Sequence, residues 1–260
     1  MNVLTKVVLP EGADPAKYSV ETSVWNPNKQ KLTAVRTSLA QMKYNNDQTE
    51  QEFVIQDPSL WSPEMPALYS AETRLYEGDK LKDVYTTPFG IRSIEIIPDK
   101  GFFLNGKRTV FKGVCNHHDL GPLGAAVNDA AIRRQIRILK DMGCNAIRTS
   151  HNMPAPELIR ACDEMGMMIM AESFDEWNVA KCKNGYNLLF DEWAEKDLVN
   201  LLHNFRNNPS VVMWCIGNEV PNQWNEGDTK IAKWLQDLCH REDPTRPVTQ
   251  GMDAPDAVVN

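Results

Sequence analysis

The sequence contains no apolar run that approaches the ~18 residues needed for a membrane-spanning helix. It also lacks clusters of lysine and arginine, and its formal net charge is −7, whereas the phosphates of nucleic acids attract grouped basic residues. Residues Met1 to Lys6 do not have the charged and apolar regions of a signal peptide. These absences argue against a membrane protein and against a nucleic-acid partner, and they leave the compartment open.

The motifs of zinc, redox and nucleotide sites are absent as well. All six cysteines fall in the second half of the chain, and no two have C-x-x-C spacing. Because most of them lie in or beside apolar runs, we expect buried free thiols rather than disulfides. No G-x-G-x-x-G or Walker loop follows an apolar run, which disfavours nucleotide-binding folds. We therefore expect no cofactor.

Residues 1–97 have the pattern of short β-strands. Apolar and polar residues alternate from Tyr18 to Trp25 and again from Tyr69 to Leu75. Turn-forming residues such as Asn26-Pro27-Asn28 separate these segments. No stretch in this part has a helical period of 3.6 residues. The pattern predicts an antiparallel β-sandwich of roughly one hundred residues.

Residues 98–260 change to a repeating unit of helix and strand. A predicted hairpin with Asn105-Gly106 at its turn comes first. Each helix that follows precedes a short apolar run, and Trp193 is among the residues we expect to face the core. Apolar runs buried on both faces are typical of parallel sheets, so the repeat indicates either a doubly wound sheet or a (β/α)₈ barrel. The predicted helices lie near 128–142, 156–165, 191–205 and 229–240.

Polar side chains follow four successive apolar runs of this part. In both candidate folds, ligands bind at the carboxyl ends of the parallel strands. A single polar residue at such a position often only meets solvent, but four in succession favour a functional site. The segments are Asn116–Asp119, Arg148–Asn152, Glu172–Trp177 and Gly217–Glu219.

The residue types at these strand ends suit a sugar ligand. A carboxyl group such as that of Glu219 can protonate a leaving oxygen, and Asn218 beside it can hydrogen-bond a hydroxyl group. Trp177 and Trp224 can offer flat apolar faces to a pyranose ring, although a buried core position is the alternative for each.

The histidines leave two possibilities open. His117 and His151 can bind sugar hydroxyls or a metal ion. The nearby carboxylates of Glu176 and Asp119 keep a divalent-metal site as an alternative, although the spacing matches known metal-ligand motifs poorly.

Two long segments resemble the signatures of glycoside hydrolase family 2, which includes β-galactosidases, β-glucuronidases and β-mannosidases. Asn145 to Pro154 is similar to the first signature, N-x-x-R-x-S-H-Y-P, and Asn204 to Glu219 is similar to the second. Leu60 to Tyr69 and Phe89 to Arg92 resemble the end of the family's immunoglobulin-like domain. The resemblance implies an immunoglobulin-like β-sandwich at 1–97. It also implies the N-terminal part of a (β/α)₈ TIM barrel, about strands one to five, at 98–260.

The same resemblance implies an activity and a set of site residues. It makes Glu219 the catalytic acid/base of a retaining β-glycosidase and places Asn218 against the sugar. His117, His151 and Arg148 would line the site. The expected reaction is hydrolysis of terminal β-glycosidic bonds, with galactose as the first expectation and β-glucuronidase or β-mannosidase specificity as the alternatives.

The sequence departs from the family pattern at two positions. Asn152 stands where the first signature has tyrosine, which can alter the subsite contacts. His118 stands where the motif after the first barrel strand has a carboxylate. The second change argues against the metal binding of galactosidases.

The family's nucleophile follows the seventh barrel strand, whereas the strands counted here reach only the fifth, near Val248. We therefore expect a truncated chain that is inactive alone and that self-associates through its open strand edges. Two rival hypotheses remain. One is a non-catalytic carbohydrate-binding or scaffold protein, and the other is a metal-dependent hydrolase built on His117, His118 and His151.

Overall fold

The structure is a computed structural model that describes residues 1–41, 48–221 and 226–253 of the 260-residue chain. The chain divides into two compact units. Unit 1 consists of Met1–Leu60 and Ala67–Ile91, and unit 2 consists of Trp61–Pro66 and Arg92–Asn260. None of the helices in the described ranges is long and apolar enough to cross a membrane. The division predicted at residue 97 stays a prediction.

Unit 1 is a β-sandwich, as the alternating pattern predicts. Its four-stranded antiparallel sheet has the order β3-β2-β5-β6, and β1 pairs with β4. Along β2, Tyr18, Val20, Thr22 and Val24 are buried, because alternate side chains of a strand point to the same face. The strands are β1 (Asn2–Lys6), β2 (Tyr18–Trp25), β3 (Lys31–Ser38), β4 (Gln48–Glu52), β5 (Tyr69–Glu77) and β6 (Lys80–Phe89).

Unit 2 begins with a small antiparallel sheet of three strands. These are β7 (Ile94–Ile97), β8 (Gly101–Leu104) and β9 (Lys107–Arg108). Asn105 and Gly106 join the last two strands with φ values of 53° and 74°. A two-residue hairpin turn of this hand needs positive φ at both positions, which asparagine and glycine tolerate best. The predicted hairpin is confirmed.

The rest of unit 2 is a five-stranded parallel sheet with the order β10-β11-β12-β13-β14. The strand order follows the chain order without reversal, which is typical of a (β/α)₈ barrel, whereas a doubly wound sheet reverses at a switch point. The structure therefore confirms the first five strands of a barrel. The strands are β10 (Gly113–His117), β11 (Ala146–Ser150), β12 (Met168–Glu172), β13 (Val211–Asn218) and β14 (Val248–Gly251).

In the part of unit 2 that the structure describes, four α-helices alternate with these strands. Asn128 caps the first by accepting a hydrogen bond from the Ala131 amide. The second begins at Pro156 and ends before Gly166, which is left-handed at φ 72°. The helices predicted near 128–142 and 156–165 are confirmed. The helices are α1 (Asp129–Asp141), α2 (Pro156–Met165), α3 (Phe190–Phe205) and α4 (Glu226–Glu242).

Two expectations about the core need correction. Trp193 does not face the core, since 42% of it is exposed and the Lys196 ammonium lies 4.4 Å from the centre of its ring. The α3 face that packs inward instead carries Phe190, Ala194, Leu198, Leu201, Leu202 and Phe205. All six cysteines are free as expected, but only Cys162, Cys215 and Cys239 are buried, and Cys115 and Cys182 are exposed.

Candidate active site

The polar residues named from the sequence gather at one edge of the parallel sheet. Asn218 is the last residue of β13, and Glu219 follows it. His151 follows β11 in the same way, and Glu172 ends β12. Because the strands are parallel, their carboxyl ends lie at the same edge. The fold therefore places these side chains at the edge where barrel enzymes carry their chemistry.

Asn218 is held on both sides of its side-chain amide. Its Oδ1 accepts a hydrogen bond of 2.9 Å from Arg148, which lies on β11. Its Nδ2 donates to Oδ1 of Asp175 over 3.1 Å. Only 5% of Asn218 is exposed, so the amide cannot turn without losing both partners. These bonds join two strands and the loop after β12 through one side chain.

Glu172 is a buried carboxylate beneath this group. One oxygen lies 2.5 Å from Nε of Arg148, and the other lies 2.9 Å from Nδ1 of His151. Its side chain has no exposed area. Burial raises the pKa of Glu172 to about 7, against the opposing effect of the Arg148 charge. The sequence placed Glu172 at a strand end but gave it no role, since nothing in the pattern distinguishes a buried carboxylate from one that faces solvent.

His151 and His117 are brought together, as expected. Their ring centroids are 5.1 Å apart in an edge-to-face arrangement. Burial lowers the pKa of His151, and the positive charge of Arg148 lowers it further. Its Nδ1 faces Glu172, which leaves Nε2 as the ring nitrogen available to another partner. A neutral imidazole in this position can accept a hydrogen bond from a hydroxyl group.

Glu219 is exposed, in contrast to the buried residues around it. Its backbone is left-handed at φ 41°, a conformation that few residues other than glycine adopt without strain. Its amide donates to the Gly251 carbonyl at the end of β14 over 2.8 Å. The backbone of two neighbouring strands thus presents a carboxyl group at the open edge of the sheet.

The structure corrects the expectation that Trp177 offers a ring face to a sugar. Only 2% of Trp177 is exposed, and its Nε1 donates to the Ile216 carbonyl over 2.9 Å. A Cβ added at Gly217 would lie 2.9 Å from that nitrogen, so glycine lets the indole pack against β13. Trp177 is therefore part of the core beneath the site. Trp224 lies outside the described residues.

Glu176, considered above as a metal ligand, anchors a loop. Its Oε2 accepts from the Lys181 amide at 2.6 Å, and its Oε1 accepts from the Asn187 amide at 2.9 Å. The carboxylate is almost fully buried. Within residues 1–41, 48–221 and 226–253, no three His, Cys, Asp or Glu side chains are arranged to hold a metal ion.

A cavity of about 400 Å³ lies beside this loop. The residues that line it include His151, Asp175, Tyr186 and Asp197. The Tyr186 hydroxyl donates to Asp197 over 2.7 Å. The cavity is large enough for a group the size of one sugar ring and adjoins the residues that contact Asn218.

Two family models match the chain. The model described as the TIM barrel domain of glycosyl hydrolases family 2 matches residues 95–260. The model described as glycosyl hydrolases family 2 matches residues 2–92. The chain belongs to glycosyl hydrolase family 2. Its two units are the family's immunoglobulin-like sandwich and the start of its barrel, as the sequence signatures predict.

Family 2 proteins of known name and structure are similar over most of the chain. A β-galactosidase of Bacteroides ovatus, BoGH2A, is 42% identical over 238 residues, which cover 80% of this chain and 28% of that protein. A putative β-glucuronidase of Formosa agariphila is 36% identical over 92% of this chain and 22% of its own length. The chain thus spans less than a third of the length of each of these two relatives.

Solved family 2 structures agree with the fold. A glycosyl hydrolase family 2 member from Bacteroides cellulosilyticus superposes with a TM-score of 0.85 and 37% identity, over 92% of this chain and 32% of that one. A β-glycosidase from Bacteroides vulgatus has the same TM-score at 36% identity, over 98% of this chain and 33% of that one. Both superpositions agree with the β-sandwich and the partial barrel of this chain.

Proposed function

We propose that this chain contributes the acid/base half of a retaining β-glycosidase active site, with Glu219 as the proton donor. The observation that carries the proposal is the placement of Asn218 and Glu219 at the carboxyl end of the fourth parallel strand. There Arg148 and Asp175 hold Asn218 from both sides. Membership of family 2 agrees with this assignment.

Retention requires a second carboxylate about 5 Å from the first. The second carboxylate attacks the anomeric carbon while Glu219 protonates the glycosidic oxygen, and the bond to the leaving group breaks. Glu219 is then ionised and removes a proton from water, which attacks the glycosyl-enzyme and releases the sugar. We assign the nucleophile to a later strand of the complete barrel.

The neighbouring residues would orient the sugar during these steps. Asn218 keeps one N–H bond that is not directed at Asp175, and it can donate to a sugar hydroxyl. His151 can accept from a hydroxyl through Nε2, because its Nδ1 faces Glu172. Arg148 contacts Glu172 and Asn218, so its task is to hold these groups in place. Hydrolysis by this arrangement needs no metal ion or cofactor.

We propose galactose as the sugar, since the B. ovatus relative at 42% identity is named a β-galactosidase. β-Glucuronidase specificity is the second candidate, because relatives with that name match at 36% and 32% identity. Parallel assays on 4-nitrophenyl β-galactoside and β-glucuronide distinguish the two. A higher kcat/KM for the glucuronide would reject galactose.

The role of Glu219 is tested with aryl β-glycosides whose leaving groups differ in acidity, in a chain that carries the complete barrel. Glu219→Gln should lower kcat/KM, which reports the step that releases the leaving group, by ~10²-fold or more for a poor leaving group and far less for dinitrophenol, which needs no protonation. Equal losses for both substrates would reject a proton donor. Proton NMR should find the β-anomer first, and an α-anomer would reject retention.

The non-catalytic alternative makes a different prediction. A carbohydrate-binding or scaffold protein would bind the sugar in the complete barrel without hydrolysing any of these glycosides, and Glu219→Gln would leave binding unchanged. Isothermal titration calorimetry with galactose and with glucuronate, run beside the kinetic assay, separates this case from a glycosidase.

A further inference from the structure

The loop from Ser173 to Leu189 carries a charged residue that the proposed mechanism does not use. Nζ of Lys181 lies 2.6 Å from the backbone carbonyl oxygen of Asn218 and 2.9 Å from Oδ1 of Asp175. Only 23% of this side chain is exposed. The ammonium group therefore contacts the peptide unit that joins Asn218 to Glu219.

That peptide unit is held at both of its polar atoms. Lys181 donates to its carbonyl oxygen, and its N–H, which belongs to Glu219, donates to the Gly251 carbonyl over 2.8 Å. Glu219 has φ 41°, so the conformation that follows the peptide is one that the chain does not adopt freely. The carboxyl group of Glu219 makes no hydrogen bond to another residue in the described parts of the chain. Its direction thus depends on the backbone behind it.

The loop that carries Lys181 is held in place by hydrogen bonds to buried groups. Buried Glu176 accepts the amides of Lys181 and Asn187. A Cβ at Gly185 would overlap Oε1 of Glu176, so a side chain there would displace the anchor. Trp177, at the start of the loop, is bonded to the Ile216 carbonyl of β13. The loop and the end of β13 are thus joined by several bonds that bring the lysine to one place.

We infer that Lys181 is a positioning residue, whose ammonium group fixes the Asn218–Glu219 peptide and so aims the Glu219 carboxyl group at the leaving-group oxygen. Asp175 serves the same end, since it accepts from both Lys181 and the Asn218 amide. The hydrogen bonds of Lys181 and Asn218 lower the pKa of Asp175 even though its partial burial opposes them. The catalytic role inferred for Lys181 rests on the proposed function. Its effect on the Asn218–Glu219 peptide, the structural part of the inference, rests on the observed contacts alone.

The structural part is tested in this chain by ¹⁵N NMR and amide hydrogen exchange. Lys181→Met removes the ammonium group and keeps most of the aliphatic stem, and Lys181→Arg keeps a positive charge. Lys183→Met is the matched control, because Lys183 lies in the same loop and, among the residues described, makes no hydrogen bond or ion pair. Lys181→Met should speed exchange of the Glu219 amide ~10-fold and shift the Asn218 side-chain resonances. The exchange rate in Lys181→Arg should lie between those of the wild type and Lys181→Met. The rate in Lys183→Met should equal that of the wild type.

The catalytic part is tested in a chain with the complete barrel. Lys181→Met should lower kcat/KM ~10-fold on a poor leaving group and less on dinitrophenyl glycosides, because kcat/KM reports the step that Glu219 assists as an acid. Unchanged exchange and unchanged Asn218 shifts in folded Lys181→Met would overturn the inference, as would equal kinetic losses on both substrates. If the wild-type barrel hydrolyses no glycoside, the proposed function fails, and the exchange result still decides the structural part.

Discussion

Nδ1 of His151 lies 2.9 Å from a carboxylate oxygen of Glu172 whose side chain has no exposed area. The other oxygen of Glu172 lies 2.5 Å from Arg148. One buried acid thus contacts two of the three basic residues that the sequence named with Asn218. Residues that are far apart in the sequence thus form one connected group in the fold. The effects of substituting them should therefore depend on one another.

Glu172 should make stability depend on pH. The pKa of Glu172 is about 7 in the folded state, against 4.5 for an unperturbed glutamate, so the folded state alone holds the proton between these two pH values. The contribution of Glu172 to the free energy of unfolding is fully present below pH 4.5. It falls by about 3 kcal/mol as the pH rises through 7. Urea unfolding followed by tryptophan fluorescence reports mainly on unit 2, which holds six of the seven tryptophans. Glu172→Gln should flatten this dependence, and an unchanged slope would contradict the assignment.

Gly251→Ala should disturb the site without removing any of its functional groups. A Cβ at this position would overlap the Arg148 guanidinium and lie 3.1 Å from Oδ1 of Asn218. We expect kcat/KM of the complete barrel to fall ~10- to 100-fold, because Arg148 must leave Asn218. The control is a double-mutant cycle with Asn218→Ala. Both changes remove the same bond, so the losses should not add, and full additivity would show that Gly251 acts elsewhere.

Arg246→Met should destabilise unit 2 by ~3–5 kcal/mol. Arg246 and Asp243 form a buried pair at 2.6 Å, and Asp243 also accepts from the Trp214 indole. Arg246 further donates to the carbonyls of Val211, Arg206 and Asn208. Its loss removes the ion-pair partner of buried Asp243 and one donor from each of these three carbonyls.

The comparison variant for this measurement is Lys233→Met, which breaks an exposed helix pair with Asp237. Such a pair contributes at most about 0.5 kcal/mol. Denaturant unfolding of both variants should therefore separate them by several kcal/mol. Equal stabilities would mean that the buried pair is replaceable by packing alone.

Much of the fold could be predicted from local patterns. Asn128 and Gly166 mark helix ends because a side-chain cap and a left-handed residue are local requirements. Asn105-Gly106 marks its turn for the same kind of reason. The position of Glu219 followed from the apolar run of β13 before it, since a buried parallel strand must end where its polar residues begin.

The parts that failed depend on contacts distant in sequence. Trp193 was expected in the core, but the inward face of α3 is completed by smaller residues and leaves the indole at its edge. Trp177 was assigned to a sugar face, and only the fold shows β13 covering it. Lys181 lies in a loop without periodicity, and no local signal connects it to Asn218, 37 residues away.

The anchor at Glu176 has a consequence for how such a protein can change over generations. Glu176 binds the loop through main-chain N–H groups, which every residue except proline supplies. These hydrogen bonds therefore do not depend on most of the side chains that the loop carries. Exposed positions such as Cys182 and Lys183 are therefore free to diversify while the inner path persists. A buried acid of this kind allows the exposed residues of the loop to change, and with them its binding partners, while the loop backbone keeps its position.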